Sequence, residues 1–248
     1  MRNITLITGG SRGIGRATAL HLARQGHWIA ISYLRQHHQA QRVVEEITAL
    51  GGKAIAIQAD VADEQQIVSL FASIDREFGP LSGLVNNAGI LRPQARVEEL
   101  DAARLNAMFA ANITGCFLCA REAVKRMAYR HGGQGGAIVN VSSAASRLGA
   151  PYEYVDYAAS KGAVDSMTRG LSLEVAAEGI RVNAVRPGFI YTDIHADGGE
   201  PGRVDRVSQA IPMQRGGQPG EVANAIAWLL SDESSYVTGS FIDLAGGK

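Results

Sequence analysis

The sequence has little of what marks a nucleic-acid-binding or membrane-spanning protein. Its 24 basic and 24 acidic side chains cancel, so nothing in the composition suggests a basic surface for a polyanion or an acidic membrane. No apolar run approaches the roughly 18 residues that a membrane span requires. The first residues lead directly into a strand-like apolar run, without the apolar stretch of a signal peptide. We therefore expect no nucleic-acid partner, no membrane association and a cytoplasmic location.

Cysteine is also scarce. Cys116 and Cys119 are the two cysteines, and they form one C-x-x-C motif inside an apolar, helix-like run. A redox motif would be expected at a helix start after a strand, and a zinc site would need two further ligands at suitable spacing. We therefore expect two buried, reduced side chains that behave as small hydrophobic residues, and no metal site.

Hydrophobic residues and glycine are plentiful: 46% of the residues are hydrophobic and 29 are glycine. Strand-like apolar runs alternate with helical patterns from end to end, which predicts one α/β domain over residues 1–248. One long polar, Gly-rich segment, 192–215, follows a strand end. Ligands of open parallel sheets bind at such ends, so we predict a substrate lid there, with surface disorder as the alternative.

A Gly-rich turn, Thr8-Gly9-Gly10-Ser11-Arg12-Gly13-Ile14-Gly15, joins the first apolar run to a helical pattern, and a second apolar run follows at 28–33. A strand, Gly-rich turn, helix and strand in this order predict a dinucleotide site. Gly9 allows a tight exit from the strand, Gly13 lets the backbone approach a pyrophosphate, and Gly15 lets helix and sheet pack closely. The alternative is a glycine turn without a ligand.

Tyr157 and Lys161 are four residues apart in a helical pattern, so their side chains lie on one face, one turn apart. A phenol alone is a weak acid, and a fixed cation beside it stabilises the phenolate. The pair can therefore exchange protons with a substrate. The alternative is a surface tyrosine and lysine, because this spacing is common by chance.

Taken together, these pieces resemble the short-chain dehydrogenase/reductase family over essentially the whole chain, nearest to its 3-oxoacyl-acyl carrier protein reductase and glucose dehydrogenase branch. The matching pieces are Thr8-Gly9-x-x-x-Gly13-x-Gly15, Asp60, Asn86-Asn87-Ala88-Gly89, Asn112-x-x-Gly115, Ser143, Tyr157-x-x-x-Lys161, Pro187-Gly188 and Thr192. The resemblance implies one Rossmann-type, doubly wound domain, in which a seven-stranded parallel sheet has helices on both faces. It also implies a nicotinamide cofactor and a carbonyl/alcohol substrate.

The resemblance also implies catalytic roles. Tyr157 would be the acid/base, Lys161 would assist it and hold the nicotinamide ribose, and Ser143 would bind the substrate oxygen. Asn112 would hold a water that links Lys161 to solvent; the alternative is a polar residue that kinks its helix. The cofactor residues would be Gly9, Ser11, Arg12, Gly13, Ile14, Gly15, Ser32, Tyr33, Arg35, Asp60, Val61, Asn87, Ala88, Gly89, Tyr157, Lys161, Pro187, Gly188, Ile190 and Thr192. Asp60 could instead only cap the next helix, although Asp63 fits that role better.

The end of the second strand indicates which nicotinamide cofactor binds. NAD-binding proteins usually place a carboxylate there, whereas residues 32–38 contain no acid. Arg12 and Arg35 could hold a 2′-phosphate, with Ser32 and Tyr33 as hydroxyl donors. We predict a preference for NADP(H), with NAD(H) as the alternative. Leu34 departs from the arginine that many similar NADP enzymes carry.

The substrate is less well defined. Pocket walls are expected from 91–96, 144–154 and 189–210, which hold Tyr152, Glu153, Tyr154, Phe189, Tyr191 and His195. The resemblance favours reduction of a ketone or a 3-oxoacyl group. The alternatives are a sugar or polyol dehydrogenase and a catalytically idle NADP(H) sensor.

Two expectations concern partners. Arg130 and His131 could meet an acidic acyl carrier near the pocket mouth, although Glu178 would oppose it. The family's mode of assembly implies a homotetramer, with a dimer as the alternative, through apolar helices at 101–129 and 154–177 and the C-terminal strand region.

Overall fold

The structure is a computed structural model that describes residues 3–248. Seven strands occur in this range: Ile4–Ile7 (β1), Trp28–Tyr33 (β2), Ala54–Gln58 (β3), Gly83–Asn86 (β4), Gly136–Val141 (β5), Ile180–Pro187 (β6) and Phe241–Leu244 (β7). The α-helices in the same range are Gly13–Arg24 (α1), His37–Ala49 (α2), Glu64–Glu77 (α3), Ala102–Phe109 (α4), Gly115–Met127 (α5), Ala145–Leu148 (α6), Val155–Val175 (α7), Ile194–Asp197 (α8), Arg203–Val207 (α9) and Pro219–Leu230 (α10).

The strands form one parallel sheet in the order β3-β2-β1-β4-β5-β6-β7. In the centre, Ile7 of β1 pairs with Ile31 of β2 and with Val85 of β4. The chain winds outward in opposite directions from this point. A crevice therefore opens beyond the carboxyl ends of β1 and β4, where open α/β sheets bind ligands. This topology confirms the fold class that the resemblance implies.

Helices cover both faces of the sheet because the central strands are apolar on both sides. On one face α1, α2 and α10 pack on strand residues such as Ile7, Ile31 and Val85. On the other face α3, α5 and the end of α7 pack on Leu6 and Leu84, the neighbours of those residues along the strands. Successive strand residues point to opposite faces, so each strand contributes to two cores.

The helix expected over 101–129 is interrupted. α4 and α5 are joined by a wider π-helical turn, Ala110–Thr114, which contains Asn112. Such turns are often found at functional sites because they redirect a side chain out of the regular helical ladder. The helix therefore departs from the expected regular geometry at Asn112, a predicted site residue.

The Gly-rich loop at 132–136 is packed closely against its neighbours. A Cβ on Gly133 would lie 2.2 Å from the carbonyl oxygen of Met127, and one on Gly135 would lie 2.5 Å from that of Gly179. Two backbone segments approach each other closely at these positions. Glycine is therefore needed where the loop meets the end of α5, at Gly133, and where it meets Gly179 just before β6, at Gly135.

The two cysteines are buried and free, as expected. Burial raises the pKa of the Cys116 thiol to about 12 and also raises the pKa of Cys119. Neither thiol is therefore a reactive thiolate at neutral pH.

The segment 192–215 is largely folded. It contains α8, α9 and a 3-10 turn, Ser208–Ala210, so it is not a disordered surface loop. Its role as a lid stays a prediction. In the described part of the chain, no helix is both long and apolar enough to cross a membrane. Across residues 3–248, no group of three or more His, Cys, Asp or Glu side chains could hold a metal ion.

Candidate active site

A cleft of about 930 Å³ lies at the carboxyl edge of the sheet. Gly15 and Asn112 lie behind its surface, whereas the other predicted catalytic and cofactor residues line it. The lining set is Gly9, Ser11, Arg12, Gly13, Ile14, Ser32, Tyr33, Arg35, Asp60, Val61, Asn87, Ala88, Gly89, Ser143, Tyr157, Lys161, Pro187, Gly188, Ile190 and Thr192. The topology therefore brings together residues that are spread over most of the chain.

The Gly-rich turn is compact because two of its glycines have no room for a side chain. Gly9 has a φ of +63°, a left-handed conformation that glycine adopts without strain. A Cβ on Gly15 would lie 2.5 Å from the carbonyl oxygen of Gly9. Arg12 precedes α1, whose start has neither a side-chain cap nor an acidic residue in its first turn. The helix N–H groups at this end are thus suited to a phosphate.

Asn87 and Thr8 clamp this turn to the end of β4. Asn87 Nδ2 donates to the carbonyl oxygens of Thr8 and Gly9, at 2.9 and 3.0 Å. The Thr8 hydroxyl accepts from the N–H groups of Asn87 and Ala88, both at 3.0 Å. The side-chain amide donor of Asn87 therefore orders the turn, which is a structural role that the sequence did not reveal.

Tyr157 and Lys161 lie one turn apart on α7, with Lys161 Nζ 5.6 Å from the centre of the Tyr157 ring. Lys161 is only 5% exposed. Its ammonium donates to the carbonyl oxygen of Val141 at 2.8 Å, at the end of β5. An ammonium has three N–H donors and is costly to bury, so this geometry favours ligand oxygens as further partners.

Asn112 is 1% exposed and supports the segment that follows β4. Its Oδ1 accepts from the N–H of Ile90 at 2.8 Å, and its Nδ2 donates to the Ile90 carbonyl at 3.1 Å and to Ser160 Oγ at 3.1 Å. A Cβ on Gly89 would lie 3.3 Å from Asn112 Oδ1 and 3.6 Å from Lys161 Nζ. Asn112 and Lys161 therefore approach the same small space from two helices.

The two serines after β5 have different environments. Ser142 is buried, and its hydroxyl donates to the Lys161 carbonyl at 3.2 Å. Ser143 is partly exposed; its Oγ accepts from the Ala145 N–H at 3.1 Å and makes a long contact of 3.5 Å with the Pro187 carbonyl. The hydroxyl of Ser143 is therefore the easier of the two to turn toward a ligand.

The start of α7 is fixed by a buried ion pair that sequence reasoning missed. Asp156 is 3% exposed, and its Oδ2 accepts from Arg104 Nε of α4 at 2.7 Å. Its Oδ1 accepts from the Tyr157 N–H at 2.9 Å. The available signal was an acidic residue in the first turn of a helix, which stabilises that end. Its partner, 52 residues earlier, carries no local signal.

The region predicted for the 2′-phosphate is only partly free. Arg12 forms an ion pair with Asp197 of α8, and its Nη1 lies 3.9 Å from Asp193. The Tyr33 hydroxyl bonds to His37 Nδ1 at 2.7 Å. Ser32 is buried, with its Oγ 3.4 Å from the N–H of Gly9. Arg35 is exposed at the cleft rim.

Asp60, another predicted cofactor residue, follows shortly after the end of β3. Asp63, not Asp60, caps α3 by accepting from the N–H groups of Gln65 and Gln66. Asp60 Oδ1 instead accepts from the Ala62 N–H at 2.9 Å. Asp60 therefore remains in the cleft wall as a candidate for binding a ligand.

The substrate-side wall comes from the segments before α7 and after β6. Glu153, Tyr154, Phe189 and His195 line the cleft as expected, whereas the exposed Tyr152 and Tyr191 do not. The Tyr154 ring is buried, and its hydroxyl donates to the Gly198 carbonyl at 3.2 Å. Burial raises the pKa of Tyr154, so this phenol stays protonated at neutral pH.

The sequence did not identify Arg203, which lies in the same wall. Its guanidinium stacks 4.5 Å from the centre of the Tyr154 ring and 5.1 Å from that of Phe189. It also forms an ion pair with Glu153, and its Nε lies 3.9 Å from Glu200. Arg203 thus joins the segment before α7 to the segment after β6.

The basic residues proposed to meet an acyl carrier lie elsewhere. Arg130 and His131 precede β5, at the amino edge of the sheet and away from the cleft lining. Arg130 is paired with Glu178 at 2.9 Å. Their expected place at the pocket mouth is therefore wrong within this chain, because parallel strands put the start of β5 opposite the cleft.

Comparison with known proteins identifies the family. The model of a family described as enoyl-(acyl carrier protein) reductase matches residues 9–248. The chain is 68% identical over 245 residues, covering 99% of both chains, to the uncharacterized oxidoreductase YgfF of Escherichia coli. It is 38% identical over 249 residues, covering 100% of this chain and 98% of the relative, to a 3-oxoacyl-acyl-carrier-protein reductase, FabG, of Staphylococcus aureus.

A solved structure gives the same result. A short chain dehydrogenase from Burkholderia cenocepacia, in complex with NADP, superimposes with a TM-score of 0.91. That protein is 34% identical, and the match covers 99% of this chain and 97% of the other. With the parallel sheet, the Gly-rich turn and the paired tyrosine and lysine already described, the chain belongs to the short-chain dehydrogenase/reductase family of oxidoreductases.

Proposed function

We propose that this oxidoreductase interconverts a ketone and a secondary alcohol with NADP(H), and that Tyr157 is its acid/base. One observation carries the proposal most directly. Tyr157, Lys161 and Ser143 line one cleft, into which the Gly-rich turn and the start of α1 also open. The first three can move a proton and bind a developing charge, and the turn can bind phosphate.

The residues of this cleft fit a nicotinamide dinucleotide. A Cβ at Gly15 would fill the turn, the start of α1 is uncapped, and the ammonium of Lys161 is buried beside the Val141 carbonyl. The turn would hold the pyrophosphate, and Lys161 would hold the ribose hydroxyls. The cofactor supplies the hydride when it is bound, and this chain supplies position and the proton.

Each catalytic residue then has one task. The Tyr157 hydroxyl gives its proton to the substrate oxygen in reduction and removes it from the alcohol in oxidation. Lys161 stabilises the phenolate that remains. The Ser143 hydroxyl exchanges its 3.5 Å contact with the Pro187 carbonyl for the substrate oxygen and shares its developing charge. Asn112 orders the Ile90 backbone and holds a water next to Lys161.

The preference for NADP(H) is supported by the rim of the cleft. The residues lining that rim, Ser32 to Gln36, include no carboxylate, and the exposed Arg35 is available to a phosphate. Arg12 must exchange Asp197 for that phosphate, which makes its contribution conditional on the position of α8. The NADP complex of the Burkholderia relative is compatible with this choice.

Other parts of the proposal concern the substrate and the assembly. A 3-oxoacyl substrate is supported by the name of the Staphylococcus relative, and the segment 192–215 would cover the substrate as a lid. A homotetramer, with a dimer as the alternative, is supported by Phe117 on α5 and Leu173 on α7, which are 49% and 77% exposed. We also propose a cytoplasmic location, which the two free thiols support.

The proposed function is tested by kcat/KM with NADPH and with NADH over a panel of ketones, 3-oxoacyl thioesters and sugars. We expect oxidation of NADPH by one of the first two classes and a ratio that favours NADPH. A ratio that favours NADH contradicts the cofactor assignment. Binding of NADPH without turnover of any compound would favour an idle sensor.

A further inference from the structure

The backbone of Tyr157 is held at both of its polar groups by side chains that start from one neighbouring segment, α4 and the π-helical turn. Arg104 Nε donates to Asp156 Oδ2 at 2.7 Å, and Asp156 Oδ1 accepts from the Tyr157 N–H at 2.9 Å. Asn112 Nδ2 donates to Ser160 Oγ at 3.1 Å, and the Ser160 hydroxyl donates to the Tyr157 carbonyl at 2.7 Å. The start of α7 is therefore fixed to that segment at two points.

The same two side chains also bond the segment that follows β4. Arg104 Nη1 donates to the Pro93 carbonyl at 2.8 Å, and Asn112 bonds both the N–H and the carbonyl of Ile90. Residues 90–93 line the cleft. The planar guanidinium of Arg104 thus has its orientation fixed by two acceptors at once. Tyr157 and this part of the cleft wall are held in place by one common segment.

The ion pair between Arg104 and Asp156 is largely buried, with side chains that are 18% and 1% exposed. Tyr154, the N-cap residue of α7, makes no side-chain cap, so Asp156 satisfies one of the N–H groups that a helix start leaves free. A buried ion pair adds little net stability, because desolvation of both charges offsets their attraction. The distinctive property of this pair is its bond to the backbone of Tyr157.

We propose that Arg104 and Asp156 are positioning residues for proton transfer by Tyr157. The phenol hydroxyl lies at the far end of a long side chain, so a small tilt of the backbone at Tyr157 moves it away from the substrate oxygen. A displacement of about 1 Å can slow a reaction by about 10²-fold. The inference rests on the proposed function and gives the ion pair a role in it without contact with the substrate.

The first test is the Arg104→Met variant of the full chain, which keeps a long apolar stem and leaves Asp156 without its cation. The probe is NADPH with acetoacetyl-N-acetylcysteamine, or with another ketone of the panel if that is reduced faster. We expect the single-turnover rate of NADPH oxidation to fall by about tenfold to 10²-fold, while the Kd for NADPH changes less than about twofold. An unchanged rate, or an equal loss of NADPH affinity, contradicts the inference.

Arg126→Met is the matched control for the loss of a buried ion pair. Arg126 is also 18% exposed, and it pairs at 3.0 Å with the buried Glu122. It lies on α5, outside the cleft lining. We expect a lower melting temperature but a single-turnover rate within about twofold of the wild type, because the effects of distant sites are independent. Equal losses of rate in Arg126→Met and Arg104→Met would show that stability rather than positioning limits the rate.

A double-mutant cycle shows whether Arg104 acts through the phenol. Tyr157→Phe has no hydroxyl to position, so adding Arg104→Met should change its residual single-turnover rate less than about twofold. The same loss in both backgrounds would overturn the inference and leave Tyr157 as the acid/base. Wild-type turnover by Tyr157→Phe alone would instead contradict the proposed function.

A spectroscopic measurement needs no turnover. Carbon NMR of protein labelled at the tyrosine Cζ gives a signal for Tyr157, which the Tyr157→Phe variant assigns. We expect Arg104→Met to move this signal and Arg126→Met to leave it in place, since only the first alters the surroundings of the Tyr157 ring. An unchanged signal in Arg104→Met contradicts the inference whether or not any ketone is reduced.

Discussion

The Gly-rich turn and the segment 192–215 contact each other through Arg12 and Asp197, and they are fixed by different interactions. The turn is fixed by backbone groups, glycines and the neutral side chains of Thr8 and Asn87. The segment 192–215 is fixed largely by charged side chains, including Arg203 with Glu153 and Arg206 with Glu200. Neutral backbone bonds of fixed geometry make a rigid cradle, whereas a partly exposed ion pair such as Arg206 with Glu200 is weak and easily exchanged.

This difference suits the two halves to different tasks. A dinucleotide needs the same backbone geometry in every catalytic cycle, and the packed turn provides it. A substrate must enter and leave, which requires a wall that opens at low cost. Arg12 connects the Gly-rich turn to the segment 192–215 through its ion pair with Asp197. An anion that binds Arg12 would therefore weaken this connection.

Breaking the rigid half should have the largest effect. In Gly15→Ala the new Cβ would lie 2.5 Å from the Gly9 carbonyl and 2.6 Å from Asn87 Nδ2. We expect a loss of about 1–3 kcal/mol in the free energy of unfolding from this overpacking, and NADPH binding weakened by more than about tenfold. Thermal unfolding and NADPH fluorescence titration measure the two effects.

Gly220→Ala is the matched control, because a Cβ at Gly220 of α10 meets nothing within 4 Å. We expect unchanged or slightly raised stability there, since alanine favours a helix. Equal behaviour of the two variants would show that the close approach at Gly15 has no energetic importance.

Acidic pH should destabilise the segment 192–215, which depends on ion pairs, more than the Gly-rich turn. The ion pair and hydrogen bond with Arg206 lower the pKa of Glu200 below its ordinary 4.5. A lowered pKa means that the stabilisation is fully present above pH 4.5 and is lost as the pH falls below it. We expect hydrogen-exchange protection of α8 and α9 to stay constant from neutral pH down to 4.5 and to fall as the pH is lowered further, after correction for intrinsic rates, while β1 and the turn change little.

Glu200→Gln sharpens this measurement. Its α9 should already be less protected at pH 7 and should respond less to acid than the wild type. Equal loss of protection in the Gly-rich turn and in α8 would instead mean that ionised side chains stabilise both regions.

The smallest effect is expected at the Arg12–Asp197 ion pair, which connects the Gly-rich turn to the segment 192–215. Asp197→Asn frees Arg12 from its ion pair, so we expect NADPH to bind up to about fivefold more tightly, the value of an exposed pair. Asp193→Asn, whose carboxylate is 3.9 Å from Arg12, should change the affinity less. Unchanged or weaker NADPH binding in Asp197→Asn would contradict the view that Asp197 competes with phosphate.

The two halves also differ in how well the sequence predicts them. The Gly-rich turn, Tyr157 and Lys161 were identified because their geometry depends on short spacings along the chain. The ion pairs Arg104–Asp156 and Arg12–Asp197 were not, because they join residues that are 52 and 185 positions apart. Only the folded topology brings such groups together.

The exposure and the hydrogen-bond partners of individual side chains were equally hard to predict. Ser142 and Ser143 are neighbours in the sequence, and the family pattern rather than any local signal separated them. His195 was expected in the pocket wall, but no local signal predicted that its Nε2 lies 2.9 Å from the Ile190 carbonyl. The π-helical turn at Asn112 has no distinctive spacing, since its residues also fit an ordinary helix.

The most direct test of the proposed chemistry is the Tyr157→Phe variant, assayed with NADPH and the best ketone substrate. This change removes one hydroxyl and keeps the ring that lies beside Lys161. We expect kcat/KM to fall by about 10²–10⁴, the contribution of general acid catalysis, while the Kd for NADPH changes less than about twofold. Turnover close to that of the wild type would contradict the assignment of Tyr157 as the proton donor.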